Sequence, residues 1–283
     1  MISRIAIIAG FALRESVRKR VFIVVALLTV GFLVLYALGV WRVSQDTNFV
    51  SETGVDGDIV AAATMLGLSM FATLFLGAIL AVFLTFSAVR GDAERGLLQP
   101  LLVRPLPRGT LLLGRFAAAV AVCVVYVILV FLASVVITHH FIPWWPDQLI
   151  RPALELAAAV VVIVAFSLAG SIVLSSTANG IAVFMLFGAG LVAGLLGQIA
   201  EGVNSATLEK VARISSWAMP FEALYQTSLS SITADTRGFT RLAIQLGPFG
   251  GAQSYGDLLW PYTALYLAVI GGLSVWAFTR RDL

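Results

Sequence analysis

His139 and His140 are adjacent, and they are the only two histidines in the 283-residue sequence. Imidazole nitrogens suit copper, zinc or nickel, but two neighbours on one chain supply at most part of a coordination sphere. Trp144 and Trp145 follow closely, as in the aromatic belts that lie at membrane surfaces. We therefore expect solvated histidines beside interfacial tryptophans, and no metal site.

Known catalytic motifs are absent from the sequence. It contains no Gly-x-x-x-x-Gly-Lys-Ser/Thr phosphate loop, so no ATPase activity is assigned to it by motif. Neither His-Glu-x-x-His nor Gly-x-Ser-x-Gly occurs, and the single cysteine, Cys123, lies in an apolar run that suits a buried packing residue. We expect no catalytic residue, no disulfide and no cofactor in this chain.

A charged stretch from residue 90 to residue 110 lies between two long apolar runs and must be in water. Asp92, Glu94 and Arg95 predict a short polar helix that leaves the membrane, and Gly96 allows a bend. Four leucines then form an apolar face and two prolines break the helix, at Leu97, Leu98, Leu101, Leu102, Pro105 and Pro107. This order favours contact with a partner protein, although charge alone also fits a basic connector at the membrane surface.

The runs that flank this stretch indicate a membrane protein, because 60% of the residues are hydrophobic and only 12% are charged. A soluble domain carries about twice that charged fraction. A bilayer core roughly 30 Å thick needs about 20 apolar residues as a helix. Six runs provide such spans, at 21–40, 59–89, 116–138, 156–174, 181–200 and 258–278.

The six runs are continuously apolar, whereas barrel strands alternate over about 10 residues. The predicted fold class is therefore an all-α membrane protein, a bundle of six transmembrane helices in a single domain, 1–283. The run at 59–89 exceeds one upright crossing, so it tilts or extends beyond the membrane. The first run follows basic residues as in a signal peptide, but it is longer than the usual apolar core of about 7 to 15 residues. We expect it to remain as a span.

Basic residues divide unevenly between the two sides of such a bundle. The side with both termini and the segment 90–115 carries twelve of the 18 lysines and arginines. The other side carries eleven of the 15 acidic residues. Because cytoplasmic loops are enriched in Lys and Arg, we expect both termini in the cytoplasm and the chain in the inner cell membrane. The basic surface indicates anionic lipid, and not nucleic acid, as its partner.

Residues 1–20 precede the first span and have the pattern of an amphipathic helix. Arg4, Arg14, Glu15 and Arg18 share one arc of that helix. An interfacial helix is therefore expected, and a basic topology anchor is the alternative.

Two outer segments have different compositions. The loop at 41–58 is acidic, but it lacks the ligand order of a calcium loop and is expected to be solvated. Residues 201–257 are expected to form an extracytoplasmic segment. Short amphipathic helices, interrupted at Pro220, would lie on the outer surface or dip into it.

Ionisable residues are rare in the span interiors, since Arg115 and Glu155 lie at span ends. Proton-coupled and ion-coupled carriers usually place such groups deep in the bundle. The sequence therefore predicts that energy for any transport comes from another subunit.

The segment at 92–115 resembles the cytoplasmic loop of ABC-2 type transporter permeases. That loop has an acidic pair, a Gly, a Leu-rich turn, a Pro with Arg, and then Leu-Leu-x-Gly-Lys/Arg. The matching residues here are Asp92, Glu94, Gly96, Leu97, Leu98, Pro105, Arg108, Leu112, Leu113, Gly114 and Arg115. Segments 14–20, 219–225 and 278–283 are similar to the same family, so the likeness covers essentially the whole chain.

The resemblance implies a six-span subunit of type V ABC exporter-like architecture that pairs with a second copy. It also implies docking on two cytoplasmic ABC ATPases, which would bind ATP and magnesium and hydrolyse the nucleotide. An extracytoplasmic accessory protein is a further candidate partner. The N-terminal helix and a coupling helix in segment 90–115 would contact the ATPases through Arg14, Glu15, Arg18, Gly91, Asp92, Glu94, Arg95, Gly96, Leu97, Leu98 and Arg108.

Several functions stay open at this point. Length and layout are similar to the maturation-type permeases, including the one that serves nitrous oxide reductase. A membrane assembly protein without transport is the alternative, and an intramembrane enzyme would need clustered nucleophiles, carboxylates or histidines in a span. Aromatic residues either line a hydrophobic path or serve as packing, at Phe71, Phe75, Phe83, Phe86, Tyr126, Phe131, Phe166, Phe184 and Phe187.

Overall fold

The long apolar runs form helices in the computed structural model, which describes residues 10, 21–46, 57–85, 108–203, 205–234 and 253–280. No residue in these ranges lies in a strand, which confirms the all-α fold class. The helices in these ranges are α1 (Val21–Asp46), α2 (Gly57–Thr85), α3 (Arg108–Phe141), α4 (Ile150–Val173), α5 (Ser176–Val203), α6 (Ala206–Ala218), α7 (Pro220–Ile232) and α8 (Leu259–Thr279).

Six of these helices, α1 to α5 and α8, are long and apolar enough to cross a membrane, in agreement with the predicted bundle of six transmembrane helices. Their bounds differ from the apolar runs, most of all in α3. That helix begins at Arg108 and not near residue 116, so the last part of the predicted coupling segment 90–115 is helical. Helical hydrogen bonds satisfy the backbone in water as well as in lipid, so a helix continues past its apolar residues.

Packing between the helix ends gives the bundle two recognisable ends. At one end α3, α4 and α8 meet through Leu112, Ile172 and Phe278, and we call it the inner end. At the other, Val40 of α1 and Ala62 of α2 meet Ile142, the residue that follows α3, and we call it the outer end. That the inner end faces the cytoplasm stays a prediction from charge.

The core lies around α2 and α4. In the most apolar 18-residue stretch of each helix, 61% and 67% of the residues are buried. The corresponding share is 17% in both α1 and α8, so these two helices lie at the periphery. Two hydroxyl contacts fix α1 to α3: Thr29 with Tyr126 at 2.6 Å and Tyr36 with Thr138 at 2.5 Å. Burial thus separates a central pair of helices from peripheral helices that face lipid or another protein.

α6 and α7 form a hairpin that enters the bundle from the outer end and returns to it, and we call it the re-entrant hairpin. α7 ends at the outer end, where the backbone N–H of Asp147 donates to the Ile232 carbonyl at 3.2 Å. Its first turn contacts the middle of α5, because Phe221 stacks on Phe187. Of the two predicted arrangements, α7 therefore dips into the bundle, and most of its residues are buried.

Two tyrosines of α8 satisfy the end of α6 inside this bundle. The hydroxyl of Tyr262 donates to the Trp217 carbonyl at 2.6 Å, and that of Tyr266 donates to the Ala218 carbonyl at 2.8 Å. The last carbonyls of a helix have no partner within the helix, and an unsatisfied one is costly away from water. These bonds explain how a helix ends inside an apolar bundle.

Candidate coupling junction and translocation face

The residues predicted to contact an ATPase lie almost entirely outside the described ranges. This holds for Arg14, Glu15, Arg18 and all contact residues from Gly91 to Leu98, while Arg108 is the first residue of α3. Their contacts stay predictions. What the structure describes is the point where α2 leads into this segment, at Thr85.

Three buried polar residues join α2, α4 and α5 at that point, and we call Thr85, Ser167 and Asn179 the junction cluster. The Thr85 and Ser167 hydroxyl oxygens are 2.5 Å apart, and Asn179 Nδ2 donates to the Ser167 carbonyl at 2.8 Å. Side-chain hydrogen bonds of this kind hold helices together in an apolar surrounding. The root of the predicted coupling segment is thus bonded to the α4–α5 hairpin.

Gly170 allows Asn179 to lie against α4. A Cβ at position 170 would be 2.0 Å from Asn179 Oδ1, a distance that a real side chain cannot adopt. The turn between the two helices is short, and the N–H of Leu174 donates to the Gly170 carbonyl at 2.8 Å. The two helices of the hairpin are therefore tightly packed at the inner end.

Aromatic rings fill the space between α2, α5 and α7 further up the bundle. Phe71 lies 6.3 Å from Phe187 and 6.5 Å from Tyr225, measured between ring centroids. Phe75 lies 5.8 Å from Phe187 and is 38% exposed. We call the aromatic cluster the set Phe71, Phe75, Phe184, Phe187, Phe221 and Tyr225.

The structure divides the other predicted path aromatics among different places. Phe131 is buried in the core, Phe166 lies against Tyr266, and Tyr126 bonds Thr29. Phe83 is 38% exposed, and Phe86 lies outside the described residues. Sequence reasoning missed Phe221 and Tyr225, although the apolar stretch around Pro220 is a signal for burial.

Two glycines of α5 bring α7 close to the aromatic cluster. A Cβ at Gly190 would lie 2.5 Å from Cζ of Phe221, and one at Gly194 would lie 2.4 Å from Oε1 of Glu222. The two glycines are four residues apart, so they lie on one face of the helix. Small residues at this spacing let helix backbones approach closely in membranes.

Glu222, in the first turn of α7, is fully buried. Its Oε1 accepts a hydrogen bond from Gln226 Nε2 at 3.0 Å, while Oε2 has no hydrogen-bond partner. α7 is not one of the six spans. Burial raises the pKa of Glu222 from its ordinary value of 4.5 to about 7, and the hydrogen bond from Gln226 lowers the pKa by a smaller amount. Glu222 takes no part in the ion pairs of Arg151, which are made with Glu155 and Asp257.

A pH dependence of stability follows from this shift. The folded state binds the Glu222 proton more tightly than the unfolded state, so stability falls as pH rises from about 4.5 to about 7. We expect Glu222→Gln to lose this part of the decline and to melt at a higher temperature than wild type at pH 8. Melting curves of both proteins between pH 4.5 and 8 test this. Parallel curves would show that Glu222 does not titrate in this range.

A hydrogen bond to an ion-paired carboxylate joins the outer ends of α4 and α7. Arg151 Nε lies 3.0 Å from Glu155 Oε1, and the Ser231 hydroxyl donates to Glu155 Oε2 at 3.1 Å. Arg151 also lies 3.8 Å from Asp257, just before α8. Glu155 therefore acts as a structural link between helices at the outer end.

The histidines lie at the outer end of α3. His139 Nδ1 is 3.3 Å from the Trp144 carbonyl oxygen, and the ring lies against Trp145, with 4.4 Å between centroids and 34° between the ring planes. Among the described residues, no group of three or more His, Cys, Asp or Glu side chains is placed to hold a metal ion. Cys123 is buried in the core.

Comparison with known proteins assigns a family to this six-span bundle. A family model described as ABC-2 family transporter protein matches residues 6–283, nearly the whole chain. No curated protein matches the sequence. The chain therefore belongs to the ABC-2 transporter family and is a multi-pass membrane permease subunit of an ABC transporter.

Proposed function

We propose that this permease is an exporter subunit. Two copies of the chain form the translocation path, and two cytoplasmic ABC ATPases drive transport through it. ATP and magnesium would bind in the ATPases, and the permease would contribute movement only. The observation that carries the proposal is the junction cluster, because it bonds the root of segment 86–107 to helices of the bundle. The family match covers ABC-2 transporters as a whole and gives no support to the maturation-type subfamily.

Motion of the coupling segment has a physical route to the aromatic cluster. Asn179 lies in the first turn of α5, and Gly190 contacts α7 eleven residues later. At 1.5 Å per residue, this is about 17 Å along one continuous helix. A displacement at the junction cluster would thus reach the α5–α7 contact without passing through a loop.

The exposed side of α5 supplies a surface for the second copy. Ile181, Met185 and Val192 are 57%, 71% and 55% exposed, and they follow one another at helical spacing. Phe184 and Phe187 of the same helix contact Phe75 on α2, so the aromatic cluster lies beside this surface. A path between two copies would therefore have an aromatic wall, which favours an apolar or amphipathic cargo.

Charge reversal in the coupling segment tests the proposal. We expect Glu94→Arg and Arg95→Glu each to lower ATP hydrolysis by the complex with the co-purified ATPase at least about fivefold, because each replaces an attractive contact with a repulsive one. Arg42→Glu, an exposed reversal at the opposite end of the bundle, is the matched control. Membrane insertion should be equal in all three variants.

Two results would contradict the proposal. A permease that purifies with protein partners but without a nucleotide-binding subunit would favour the membrane assembly function. Normal ATP hydrolysis in both charge-reversal variants would remove the coupling segment from the mechanism.

A further inference from the structure

A groove of about 470 Å³ lies between α3, α4 and α8 in the inner half of the bundle. Phe116, Leu168 and Leu267 form its apolar walls, and Gly271 and Gly272 form its side on α8. A Cβ at either glycine would meet no other atom within 4 Å. Packing within the chain therefore does not require glycine here, and the space beside these two residues is open.

Water is a poor occupant for this groove. A buried water needs two to four polar partners. Ser274 is the one hydroxyl-bearing residue among the groove-lining residues in the described ranges, and its hydroxyl already donates to the Ile270 carbonyl at 2.7 Å. The groove borders α8, a peripheral helix that is long and apolar enough to cross a membrane, so hydrocarbon is a suitable filling.

The length of the groove suits part of one acyl chain. The α8 part of the groove runs from Leu267 to Val275, which is about 12 Å of helix. A single acyl chain is thin and deformable, so it can lie along an open apolar groove of this length.

Two side chains of the kind that anchors lipid headgroups lie on α8, between the groove and the inner end of the helix. Gly272, Trp276 and Arg280 follow at four-residue spacing, so they share one face. The Arg280 guanidinium carbon lies 4.3 Å above the centre of the Trp276 ring, which is 54% exposed. Trp and Arg at a helix end are typical anchors at the membrane interface, and guanidinium binds phosphate strongly.

We propose that this groove is a binding site for one anionic phospholipid of the leaflet at the inner end. One acyl chain lies along Gly271 and Gly272, and the phosphate lies at Arg280. The site combines an apolar channel at the right depth with a cation held over an aromatic ring at its mouth. It does not depend on the ATPase partner or on the direction of transport.

Native mass spectrometry of the purified permease tests this site, with palmitoyl-oleoyl phosphatidylglycerol and the phosphatidylcholine of the same chains as probes. We expect one phosphatidylglycerol per chain under conditions that remove phosphatidylcholine. Gly272→Leu fills the groove and should lower retention of phosphatidylglycerol at least tenfold. Gly31→Leu is the matched control, because Gly31 is an exposed glycine of α1 with no atom near its Cβ position.

Arg280→Gln tests the headgroup contact without changing the groove. Loss of one basic residue near a membrane surface should reduce the preference for phosphatidylglycerol about fivefold and leave phosphatidylcholine binding unchanged. Equal retention of both lipids by wild type would overturn the proposal, as would equal loss in Gly31→Leu and Gly272→Leu. A change from dimer to monomer in Gly272→Leu with unchanged lipid would assign the groove to the second copy instead.

Discussion

Replacing Gly190 with alanine should destabilise the folded permease by about 1–3 kcal/mol, because one added methyl overpacks the contact between α5 and α7. The new Cβ would lie 2.5 Å from Cζ and 2.9 Å from Cε2 of Phe221. That ring is buried and stacks on Phe187 at 5.8 Å, so it has little room to withdraw. Either α7 shifts outward or the aromatic cluster rearranges.

Gly188 provides a matched control in the same helix. A Cβ at position 188 would meet no other atom within 4 Å. Alanine is a better helix former than glycine by about 1 kcal/mol, so Gly188→Ala should be neutral or slightly stabilising. The two substitutions therefore have opposite expected signs, although they add the same methyl group two residues apart.

Thermal unfolding in detergent measures this difference, and ATP hydrolysis by the complex reports its functional effect. Gly194→Ala should fall between the two, because its Cβ would meet the ends of flexible side chains, Glu222 and Gln226. Equal melting temperatures for Gly190→Ala and Gly188→Ala would show that the close α5–α7 contact does not limit stability.

We expect Ser167→Ala and Asn179→Leu to uncouple movement of the bundle from ATP hydrolysis by the ATPases. Both remove a hydrogen bond between helices, and each such bond contributes only about 1 kcal/mol to stability. Insertion and ATP binding should therefore persist. Ser167→Ala removes the bond between the root of the coupling segment at Thr85 and α4, whereas Asn179→Leu removes the bond that joins α5 to α4 at Ser167.

The readout is a nucleotide-dependent change at the outer end. With Cys123→Ser as background, a reporter Ser254→Cys is labelled with a maleimide, with and without ATP and vanadate; Ser254 is exposed. In the otherwise unchanged protein, nucleotide should alter the labelling rate. In Ser167→Ala and Asn179→Leu, the rate should no longer respond, while ATP hydrolysis continues.

Ser171→Ala is the control for these two variants. Ser171 lies one turn from Ser167 on α4, and it is equally buried. Its hydroxyl donates to the Leu168 carbonyl of its own helix, at 2.7 Å, and so joins no two helices through that bond. An identical loss of response in Ser171→Ala would show that general loosening of α4, and not the junction cluster, is responsible.

The number and type of spanning elements could be predicted because they depend on local composition. About 20 continuous apolar residues cannot remain in water and cannot leave backbone groups unsatisfied in lipid, so each run must be a helix. The bounds were less predictable, as the start of α3 at Arg108 shows, because backbone hydrogen bonds do not end where hydrophobicity does.

The candidate sites divide in the same way. Charge and residue order single out the segment 90–115, since charged residues stand out in a sequence of 12% charged residues. Thr85, Ser167 and Asn179 give no such signal, because isolated Ser, Thr and Asn residues are common in spans. Their importance depends on which helices meet. Thr85 is separated from Ser167 by 82 positions in the sequence and from Asn179 by 94, and only folding brings the first pair into contact and links the second through Ser167.

The sequence by itself determined that this protein is an all-α membrane protein with six spans, because membrane insertion is decided by each segment's own hydrophobicity. Only the tertiary structure decided that α7 dips into the bundle, that Gly190 and Gly194 face it, and that α8 leaves a groove at Gly271 and Gly272. Those features follow from helix packing in three dimensions, where a glycine is a close contact in one place and an opening in another.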